Sequence, residues 1–445
     1  MGKYFGTDGF RGRFGESITI EHALKIGEFL GFYYGGKNVE GIIIGVDTRE
    51  SSPFLKTAVT MGINSFGVDV YDLDVEPTPG VAYLAKIYEM PGVVISASHN
   101  PYWDNGIKLF NEKGEKMDDG IIHALEVFMD SKDMPASEKE KGNIIPFSTG
   151  KKAYIDFLVS HAFDYTGLNI IIDLANGSSS KLAKEVFEKL NAKVTFINDE
   201  PDGKNINNGC GSTHMEQLSE RVKEGSFDIG FAYDGDADRC LSTDDKGHIL
   251  TGDHLLYLVS KYLKKKNNLK NNTVVSTVMS NYGLYEALDK QGINYIRCDV
   301  GDKNVYLTLK QNHLSFGGEE SGHIIFLSYS STGDGILTSI KILNILVEEK
   351  KKISELISDI TIYPQVLKNV ITNNKKEILD NPDIQKVIKN EELKLEGKGR
   401  ILVRPSGTEP KIRVMAEAST TIEAEAAVKN IADRIEEVEN ITKTK

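Results

Sequence analysis

Three aspartates, Asp234, Asp236 and Asp238, alternate with small residues directly after the apolar run IGFAY. On a fully extended chain, carboxylates two residues apart share a face but are separated by about 6.6 Å at their Cα atoms. Because Gly235 and Ala237 stand between them, the chain can curl and bring the three side chains around one cation. Oxygen donors of this kind suit Mg²⁺, which keeps its other positions for water or phosphate. The sequence therefore predicts one Mg²⁺ site per chain.

Two other interpretations of this acidic segment are weaker. A calcium-binding loop also begins with alternating aspartates, but Arg239 stands where that loop requires glycine, and Asp245 replaces its closing glutamate. A solvated acidic turn is the other alternative, and the mutual repulsion of three clustered carboxylates argues against it.

Ser98 lies in ISASHNP, at the end of an apolar strand and before an Asn-Pro turn. Such a position either presents a nucleophile or merely ends a strand. A protease-like triad is disfavoured, because His99 is adjacent and would point away from Ser98 on an extended chain. A phosphoryl group on Ser98 would add about −1.5 to −2 charges and acceptor oxygens that complete a Mg²⁺ site. If Ser98 carries such a group, a nucleophile and a metal site together describe phosphoryl transfer.

A second group of polar residues occupies a predicted tight loop between two strands, in RPSGTEPKIRVM. Guanidinium groups, hydroxyls and backbone N–H groups are the usual ligands of a phosphate. The prediction is a phosphate cradle, and the alternative is a hairpin with incidental arginines. The residues concerned are Arg404, Ser406, Gly407, Thr408 and Arg413.

Glu319, Ser321 and His323 alternate in the segment GGEESGH. Alternation on an extended chain would place the three side chains on one side, where they suit a polyol such as a sugar. For each residue alone, a surface strand end is the competing interpretation. For His323, a structural hydrogen bond is as plausible as proton transfer.

The elements that must position these residues repeat along the chain. Three segments, beginning at GIIIGVDTR, NIIIDLANGSSS and TVVSTVMSN, share the order strand, polar loop, helix, turn and strand. This order predicts parallel strands with helices packed on the sheets. After about Pro364, short strands and one amphipathic helix predict a smaller α+β domain. The predicted fold class is α/β, with three related mixed-sheet α/β domains, whose helices pack on the sheets, and a smaller C-terminal α+β domain.

The predicted domains are 1–150 with the serine loop, 151–250 with the metal loop, 251–365 with the sugar loop and 366–445 with the phosphate loop.

Composition excludes several classes of protein. The chain has 53 basic and 65 acidic residues, a net charge of −12, which argues against a nucleic-acid binder. No stretch approaches the roughly 20 apolar residues of a membrane span. Three widely spaced cysteines and the lack of a recognisable signal peptide favour a cytoplasmic location.

The motifs FGTDGFRG, SASHNP, DGDADRC, GEESGH and RPSGTEPKIRVM occur in the order seen in the alpha-D-phosphohexomutase family, which this chain resembles over essentially its whole length. The connecting segments NINNGCGSTH, TVMSNYGLYEAL, SSTGDGILT and PTPGVAYL resemble the bacterial amino-sugar branch. The resemblance implies interconversion of glucosamine 6-phosphate and glucosamine 1-phosphate through glucosamine 1,6-bisphosphate, on the route to UDP-N-acetylglucosamine and the cell wall.

The resemblance also implies four domains around a central cleft, and roles for individual residues. Ser98 is the phosphoserine and, with the three aspartates, a ligand of Mg²⁺. Glu319 and Ser321 contact sugar hydroxyls, and the RPSGTEPKIR residues hold the non-reacting phosphate. Arg11 and Lys108 lie near the reacting phosphoryl group, and Lys108 and His323 are the candidates for the general base. Water competes as acceptor, so we expect the C-terminal domain to close over the site.

The chain departs from the family branch at two places. Glu320 stands where the branch usually has Gln, and Lys303-Asn304 stand where it has Arg-Tyr. Lysine does not match the planar geometry of arginine toward phosphate, so Lys303 is not an equivalent replacement for that arginine.

The nearest alternative function is a phosphoglucomutase or phosphomannomutase of the same family. A metal-dependent phosphatase or a catalytically silent sugar-phosphate sensor are alternatives of other classes. The resemblance further implies a possible homodimer.

Overall fold

A computed structural model of the protein describes residues 2–37, 39–131, 140–406 and 410–443, with side chains up to Glu439. Contacts divide the chain into two compact units. One comprises residues up to Ser280 together with Gln291–Ser358, and the other comprises Asn281–Lys290 together with the chain from Asp359. None of the helices in the described ranges combines the length and apolar character that crossing a membrane requires.

The first unit contains three sheets. The first sheet has the order β1-β5-β4-β2-β3-β6. Its strands are β1 Phe10–Arg13, β2 Ile42–Val46, β3 Val70–Val75, β4 Gly92–Ile95, β5 Asp104–Phe110 and β6 Ile144–Pro146. The accompanying helices are α1 Ile20–Tyr34, α2 Ser52–Ser65, α3 Thr78–Tyr88, α4 Asp119–Asp130 and α5 Ser148–Ser160.

Strand β2 shows why the first sheet forms here. Ile42 and Ile44 are buried in one apolar cluster with α1 and α2, while Ile43 is buried in another with α3. A strand covered on both faces has a continuous apolar sequence, as in IIIGV. Strand β2 pairs in parallel with both β3 and β4. The carboxyl ends of β2 and β4 therefore meet at one edge, where Val46 pairs with Ile95, and the polar loops that follow these strands lie together.

The second sheet has the order β11-β10-β9-β7-β8, with β7 parallel to β8 and β9. Its strands are β7 Asn169–Asp173, β8 Lys193–Ile197, β9 Ile229–Tyr233, β10 Cys240–Thr243 and β11 Ile249–Leu250, with helices α6 Ser179–Phe187 and α7 Glu216–Glu224.

The third sheet has the order β13-β12-β14-β15, with β12 parallel to β13 and β14. Its strands are β12 Thr273–Thr277, β13 Asn294–Cys298, β14 Phe316–Gly318 and β15 Ile324–Phe326. The helices of this part of the chain are α8 Gly252–Lys265, α9 Tyr282–Lys290, α10 Asp302–Gln311, α11 Gly335–Glu349 and α12 Ile353–Leu356. Helix α9 belongs by its contacts to the second unit.

The second unit contains a three-stranded antiparallel sheet of order β16-β18-β17. Its elements are β16 Gln365–Ile371, α13 Lys375–Leu379, α14 Pro382–Lys394, β17 Gly399–Pro405, β18 Lys411–Ala418 and α15 Thr421–Lys443. Val428, Ile431 and Ile435 of α15 are buried in its core, as their spacing predicts.

The predicted fold class is confirmed: three α/β parts, each with a mixed β-sheet, precede a smaller C-terminal domain. The exact domain boundaries stay a prediction.

Candidate functional site

The acidic loop after β9 curls as its small residues predict. The N–H of Ala237 donates to the carbonyl oxygen of Asp234 at 3.0 Å, and Ala237 has a left-handed φ of 52°. One carboxylate oxygen from each of Asp234, Asp236 and Asp238 lies within 4.8 Å of the others, and all three residues are buried. The triad can therefore hold a metal ion.

The donor set of the triad also fits a cation. Oδ1 of Asp236 and Oδ1 of Asp238 are buried and accept no hydrogen bond from the residues that the structure describes. Buried carboxylate oxygens are costly without a partner. A divalent cation bound by these oxygens would remove that cost.

Ser98 lies beside the metal triad. Its Oγ donates to Oδ2 of Asp234 at 2.5 Å, and the side chain is buried. The backbone at Ser98 has a φ of 52°, so the chain turns there instead of continuing as a strand. The prediction that His99 points away from Ser98 is wrong, because the two side chains approach to 3.3 Å between Oγ and Nδ1. The left-handed turn removes the alternation on which that prediction depended.

Lys108 brings a positive charge from β5 to the triad. Its Nζ donates to Oδ2 of Asp236 at 2.6 Å and to Oδ2 of Asp238 at 2.9 Å. Burial by itself would lower the pKa of Lys108, but the two carboxylates raise it above its ordinary value. Lys108 is therefore held as an ammonium group.

The carboxylates of the triad titrate differently. Burial, followed by the charges of Asp238 and Asp236, raises the pKa of Asp234 to about 8. Burial would also raise the pKa of Asp238, but Lys108 and His323 hold it well below its ordinary value. The site thus separates one readily protonated carboxyl from one that stays ionised.

His323 lies between two acidic groups. Its Nδ1 is 3.7 Å from Oδ1 of Asp238, and its Nε2 is 3.8 Å from Oδ2 of Asp302. Burial would lower the pKa of His323, but Asp238 and Asp302 raise it. The N–H of Gly333 donates to Nε2 at 2.8 Å, so this nitrogen already accepts a hydrogen bond.

The segment Glu319–Gly322 is a turn, and the expected alternation of Glu319, Ser321 and His323 on an extended chain is wrong. The N–H of Gly322 donates to the carbonyl oxygen of Glu319 at 3.0 Å, and Gly322 has a φ of 90°. Oε1 of Glu319 accepts the N–H of Gly301 at 2.9 Å, whereas Ser321 is half-buried. The turn, and not the spacing, decides where these side chains lie.

Two arginines and one lysine near the triad extend the positive charge. Arg11 is beside Asp8, and neither its Nε nor that of Arg239 donates a hydrogen bond to any described residue. Lys116 donates to the carbonyl oxygen of Thr7 at 3.0 Å and to Asp302 at 2.6 Å.

Burial, followed by the positive charges of Arg239 and Arg11, lowers the pKa of His99 to about 4.

The segment that carries Arg11 is tied to α4 by Glu126. The carboxylate of Glu126 accepts the N–H groups of Lys3 at 3.0 Å and of Tyr4 and Phe5 at 2.8 Å each. Burial would raise the pKa of Glu126, but the three backbone donors lower it. Charge-assisted hydrogen bonds of this kind contribute about 1.5–3 kcal/mol.

Glu126→Gln is expected to accelerate hydrogen exchange of the amides of Lys3–Phe5 by about 10–100-fold at pH 7, because the charged acceptor is lost. The pKa of Glu126 is depressed, so its stabilisation is present above the ordinary carboxyl value of 4.5 and is lost as the pH falls through the folded-state pKa. The difference between the two proteins should therefore shrink below about pH 4.5. Glu188→Gln, at an exposed position, is the control, and equal exchange in both variants would contradict the anchor.

Among the predicted phosphate residues, Arg404 lies on β17, Ser406 directly follows β17, and Arg413 lies on β18. Arg404 pairs in register with Arg413, which places both side chains on one face of the sheet. Ser406 donates its N–H to the carbonyl oxygen of Lys411 at 2.9 Å, and Lys375 donates to the carbonyl oxygen of Ser406 at 2.6 Å. Gly407 and Thr408 lie outside the described residues.

Several residues of this site had not been predicted from the sequence. Arg239 follows the acidic triad directly, and its position in the motif could have indicated it. Arg49 lies between the end of β2 and the start of α2 and pairs with Asp47. Lys303, which stands where the family branch has Arg, pairs with Asp119 on α4. Asn207 lies in the segment NINNGCGSTH, but its role was not predicted, because its contacts are made with a loop far away along the chain.

Known proteins resemble this chain throughout. Its residues match the models of phosphoglucomutase/phosphomannomutase α/β/α domain I over 2–135, domain II over 152–247, domain III over 251–363 and the C-terminal domain over 367–438. The chain belongs to the phosphoglucomutase/phosphomannomutase family, the alpha-D-phosphohexomutases.

Relatives narrow the comparison to one branch. The phosphoglucosamine mutase of Lachnospira eligens is 46% identical over 443 residues, which cover 98% of each chain. The phosphoglucosamine mutase of Lachnoclostridium phytofermentans is 48% identical over 425 residues, covering 94% of this chain and 95% of the relative.

Solved structures resemble the fold. A phosphoglucomutase/phosphomannomutase family protein from Burkholderia thailandensis has a TM-score of 0.80 at 22% identity, covering 99% of this chain and 98% of the other. N-acetylphosphoglucosamine mutase of Aspergillus fumigatus, in complex with GlcNAc-6P and magnesium, has a TM-score of 0.66 at 16% identity, covering 98% and 96%.

Proposed function

We propose that the protein is a phosphoglucosamine mutase, an isomerase that interconverts glucosamine 6-phosphate and glucosamine 1-phosphate through a phosphoserine at residue 98. The observation that carries this proposal is the 2.5 Å hydrogen bond from Ser98 Oγ to Asp234, within a buried triad of carboxylates. The relatives that are 46% and 48% identical are phosphoglucosamine mutases, which favours glucosamine phosphates over glucose or mannose phosphates.

Asp234, Asp236 and Asp238 are the proposed ligands of one Mg²⁺ per chain, together with an oxygen of phosphorylated Ser98. When bound, Mg²⁺ supplies positive charge that stabilises the transferring phosphoryl group. The unpartnered oxygens of Asp236 and Asp238 support this assignment.

The reaction consists of two phosphoryl transfers. In the first, the bond between phosphorus and Ser98 Oγ breaks, and a bond forms between phosphorus and O1 or O6 of the sugar phosphate. The sugar hydroxyl loses its proton to a base, and glucosamine 1,6-bisphosphate results. The bisphosphate then turns end over end, the bond between its other phosphorus and the sugar oxygen breaks, and a bond forms between that phosphorus and Ser98 Oγ. The hydroxyl of Ser98 loses its proton and the released sugar oxygen gains one, which restores the phosphoserine and a sugar monophosphate.

Cationic side chains would balance the charge of the transferring group. Arg11 and Lys108 are proposed for this role from the resemblance, and the unpaired Nε of Arg239 supports adding that residue. Lys108 and His323 remain the two candidates for the general base. Lys108 is held as an ammonium group by Asp236 and Asp238, so it would have to lose a proton before acting as a base, whereas Nε2 of His323 already accepts the Gly333 N–H at 2.8 Å.

Substrate binding is assigned to two further sets of residues. Glu319 and Ser321 are proposed to contact the sugar hydroxyls. Arg404, Ser406 and Arg413 are proposed to hold the non-reacting phosphate, with Gly407 and Thr408. The shared face of Arg404 and Arg413 supports this role, because two guanidinium groups can bind one phosphate by charge-assisted hydrogen bonds.

We propose a cytoplasmic location and a homodimer, without nucleic-acid or membrane partners. The three free cysteines, Cys210, Cys240 and Cys298, support a reducing compartment.

A substrate comparison tests the proposed function. We expect kcat/KM for glucosamine 6-phosphate to exceed that for glucose 6-phosphate and mannose 6-phosphate by at least about 10-fold, which corresponds to about 1.4 kcal/mol of differential transition-state binding. Preference for a neutral sugar would favour the phosphoglucomutase or phosphomannomutase alternative. Release of inorganic phosphate as the main product would favour a phosphatase, and binding without turnover a sensor.

A further inference from the structure

The loop that carries Ser98 has an unfavourable backbone conformation. Ser98 has a φ of 52°, in the left-handed region that residues with a Cβ atom seldom adopt. Such a conformation persists when surrounding groups hold it, and it is often found where function requires one orientation. The side chains that hold this loop therefore determine how Ser98 is oriented.

Arg49 holds the loop from the first sheet. Its side chain is fully buried and forms a salt bridge with Asp47, with Nε 2.8 Å from Oδ2. One terminal nitrogen donates to the carbonyl oxygens of Ser98 at 2.8 Å and Asn100 at 2.9 Å. The other donates to the carbonyl oxygen of Pro101 at 2.5 Å. One guanidinium group thus binds three carbonyl oxygens of the serine loop.

Asp47 is itself held in place. Its Oδ1 accepts the hydroxyl of Ser52 at 2.7 Å and the N–H of Arg49 at 3.1 Å. The planar guanidinium therefore has a fixed partner behind it, and lysine could not reproduce this set of donors.

Asn207 holds the same loop from the part of the chain that follows β8. Its Nδ2 donates to the carbonyl oxygen of Ser98 at 2.8 Å and to that of Asn100 at 3.1 Å. The carbonyl oxygen of Ser98 consequently accepts from both Arg49 and Asn207, which occupies its two lone pairs. Gly235 of the metal loop packs against the same atoms, since a Cβ there would lie 2.7 Å from the Ser98 carbonyl oxygen and 2.9 Å from Asn207 Nδ2.

We propose that Arg49 and Asn207 are positioning residues for phosphoryl transfer at Ser98. By holding the Ser98 carbonyl oxygen from two sides, they fix the direction in which Oγ leaves the backbone, toward Asp234. This inference rests on the proposed function, because it assigns the two residues to the same phosphoserine. Neither side chain touches the reacting atoms; both act through the backbone of the loop.

The phosphoserine has to donate its phosphoryl group and later accept another at the same place. A misplacement of about 1 Å can lower a rate about 100-fold. A loosened loop should slow the transfer far more than it weakens substrate binding. It should also allow water to compete with the sugar hydroxyl as acceptor.

Asn207→Asp tests the inference with little change of shape. The aspartate presents a carboxylate oxygen to two carbonyl oxygens where the amide presented N–H groups, so the loop is repelled. We expect kcat to fall about 10–100-fold with KM changed by less than about 3-fold. We also expect a larger share of the phosphoryl groups to appear as inorganic phosphate. Asn208→Asp, at the exposed neighbouring position, makes the same change of charge and should behave as the unmodified protein.

Asn207→Gly is the second variant, because Asn207 has a φ of 55° that glycine adopts without strain. It removes the donor without adding a charge, and a smaller loss of kcat with unchanged KM is expected. Arg49→Lys, compared with Arg13→Lys at an exposed position, should reproduce the kcat effect. Folding of each variant is checked by circular dichroism and thermal melting.

The inference is overturned if folded Asn207→Asp and Asn207→Gly match Asn208→Asp in kcat and in release of inorganic phosphate. It is also overturned if KM rises as much as kcat falls. Ser98→Ala separates this failure from failure of the proposed function. If Ser98→Ala isomerises normally, the phosphoserine mechanism of the proposed function is wrong. If Ser98→Ala is inactive while the Asn207 variants are normal, only the positioning role is wrong.

Discussion

Ser98→Ala is expected to lower kcat for isomerisation by at least about 10⁴-fold, the scale on which loss of a covalent nucleophile reduces an enzymatic rate. Without Oγ, no phosphoryl group can be stored between the two transfers. The variant should also lack the covalently bound phosphate that intact-mass measurement and ³¹P NMR detect in the active protein. The coupled rate of glucosamine 1-phosphate formation measures the loss directly.

The fold should tolerate Ser98→Ala. The side chain is buried, and within the described part of the chain its polar contacts are the hydrogen bond to Asp234 and the contact with His99, whereas Arg49 and Asn207 bind the backbone. Ser160→Ala, on the exposed end of α5, is the matched control and should retain full activity. Normal isomerisation by a well-folded Ser98→Ala protein would rule out the phosphoserine mechanism.

Asp236→Asn is expected to weaken metal binding by at least about 100-fold and to lower kcat/KM by a similar factor at limiting Mg²⁺. Replacing a residue that only hydrogen-bonds to a metal ligand typically lowers metal affinity by about 10–100-fold. Asp236 is proposed to bind the metal directly, so a larger loss of affinity is expected. The side chain is fully buried, and its Oδ2 accepts from Lys108 at 2.6 Å and from Thr78 at 2.5 Å. The amide keeps the shape but removes one negative charge and one cation ligand.

Titration of kcat/KM with Mg²⁺, and calorimetry with Mn²⁺ as a second probe, measure this effect. Asp289→Asn, at an exposed position, makes the same change of charge and should leave the Mg²⁺ dependence unaltered. Partial recovery of Asp236→Asn at high Mg²⁺ would support a ligand role. An unchanged Mg²⁺ dependence in a folded Asp236→Asn protein would contradict the assignment of the metal site.

Much of the fold could be predicted from the order of its elements. The three repeated strand–helix–strand segments form parallel pairs β2–β3, β7–β8 and β12–β13. This succeeded because two successive parallel strands require a crossover, and a helix that packs on the sheet provides it. The sequence did not indicate the antiparallel positions of β1, β5 and β10, since antiparallel pairing depends on register between segments and not on local composition.

Local spacing was a poor guide wherever the chain leaves the extended conformation. The alternation of Glu319, Ser321 and His323 did not place their side chains on one side, because the segment forms a turn. Gly322 takes a φ of 90° there, and a Cβ at that residue would lie 2.5 Å from the carbonyl oxygen of Cys240. The same applies to His99, which approaches Ser98 because Ser98 is left-handed. Backbone conformation at such positions is decided by packing against distant segments.

The sequence by itself determined which chemistry was available: a hydroxyl after a strand, three carboxylates in a loop of small residues, and arginines around a short connection. These are properties of residue type and of near neighbours along the chain. Only the tertiary structure decided that Ser98 donates a hydrogen bond to Asp234 and that Lys108 donates to two aspartates. It also decided that Arg49 and Asn207 both donate to the carbonyl oxygen of Ser98. Hydrogen bonds act over about 3 Å and need alignment. Strand register and packing bring together groups that are 49 to 136 residues apart along the chain. A local sequence pattern cannot predict contacts over such separations.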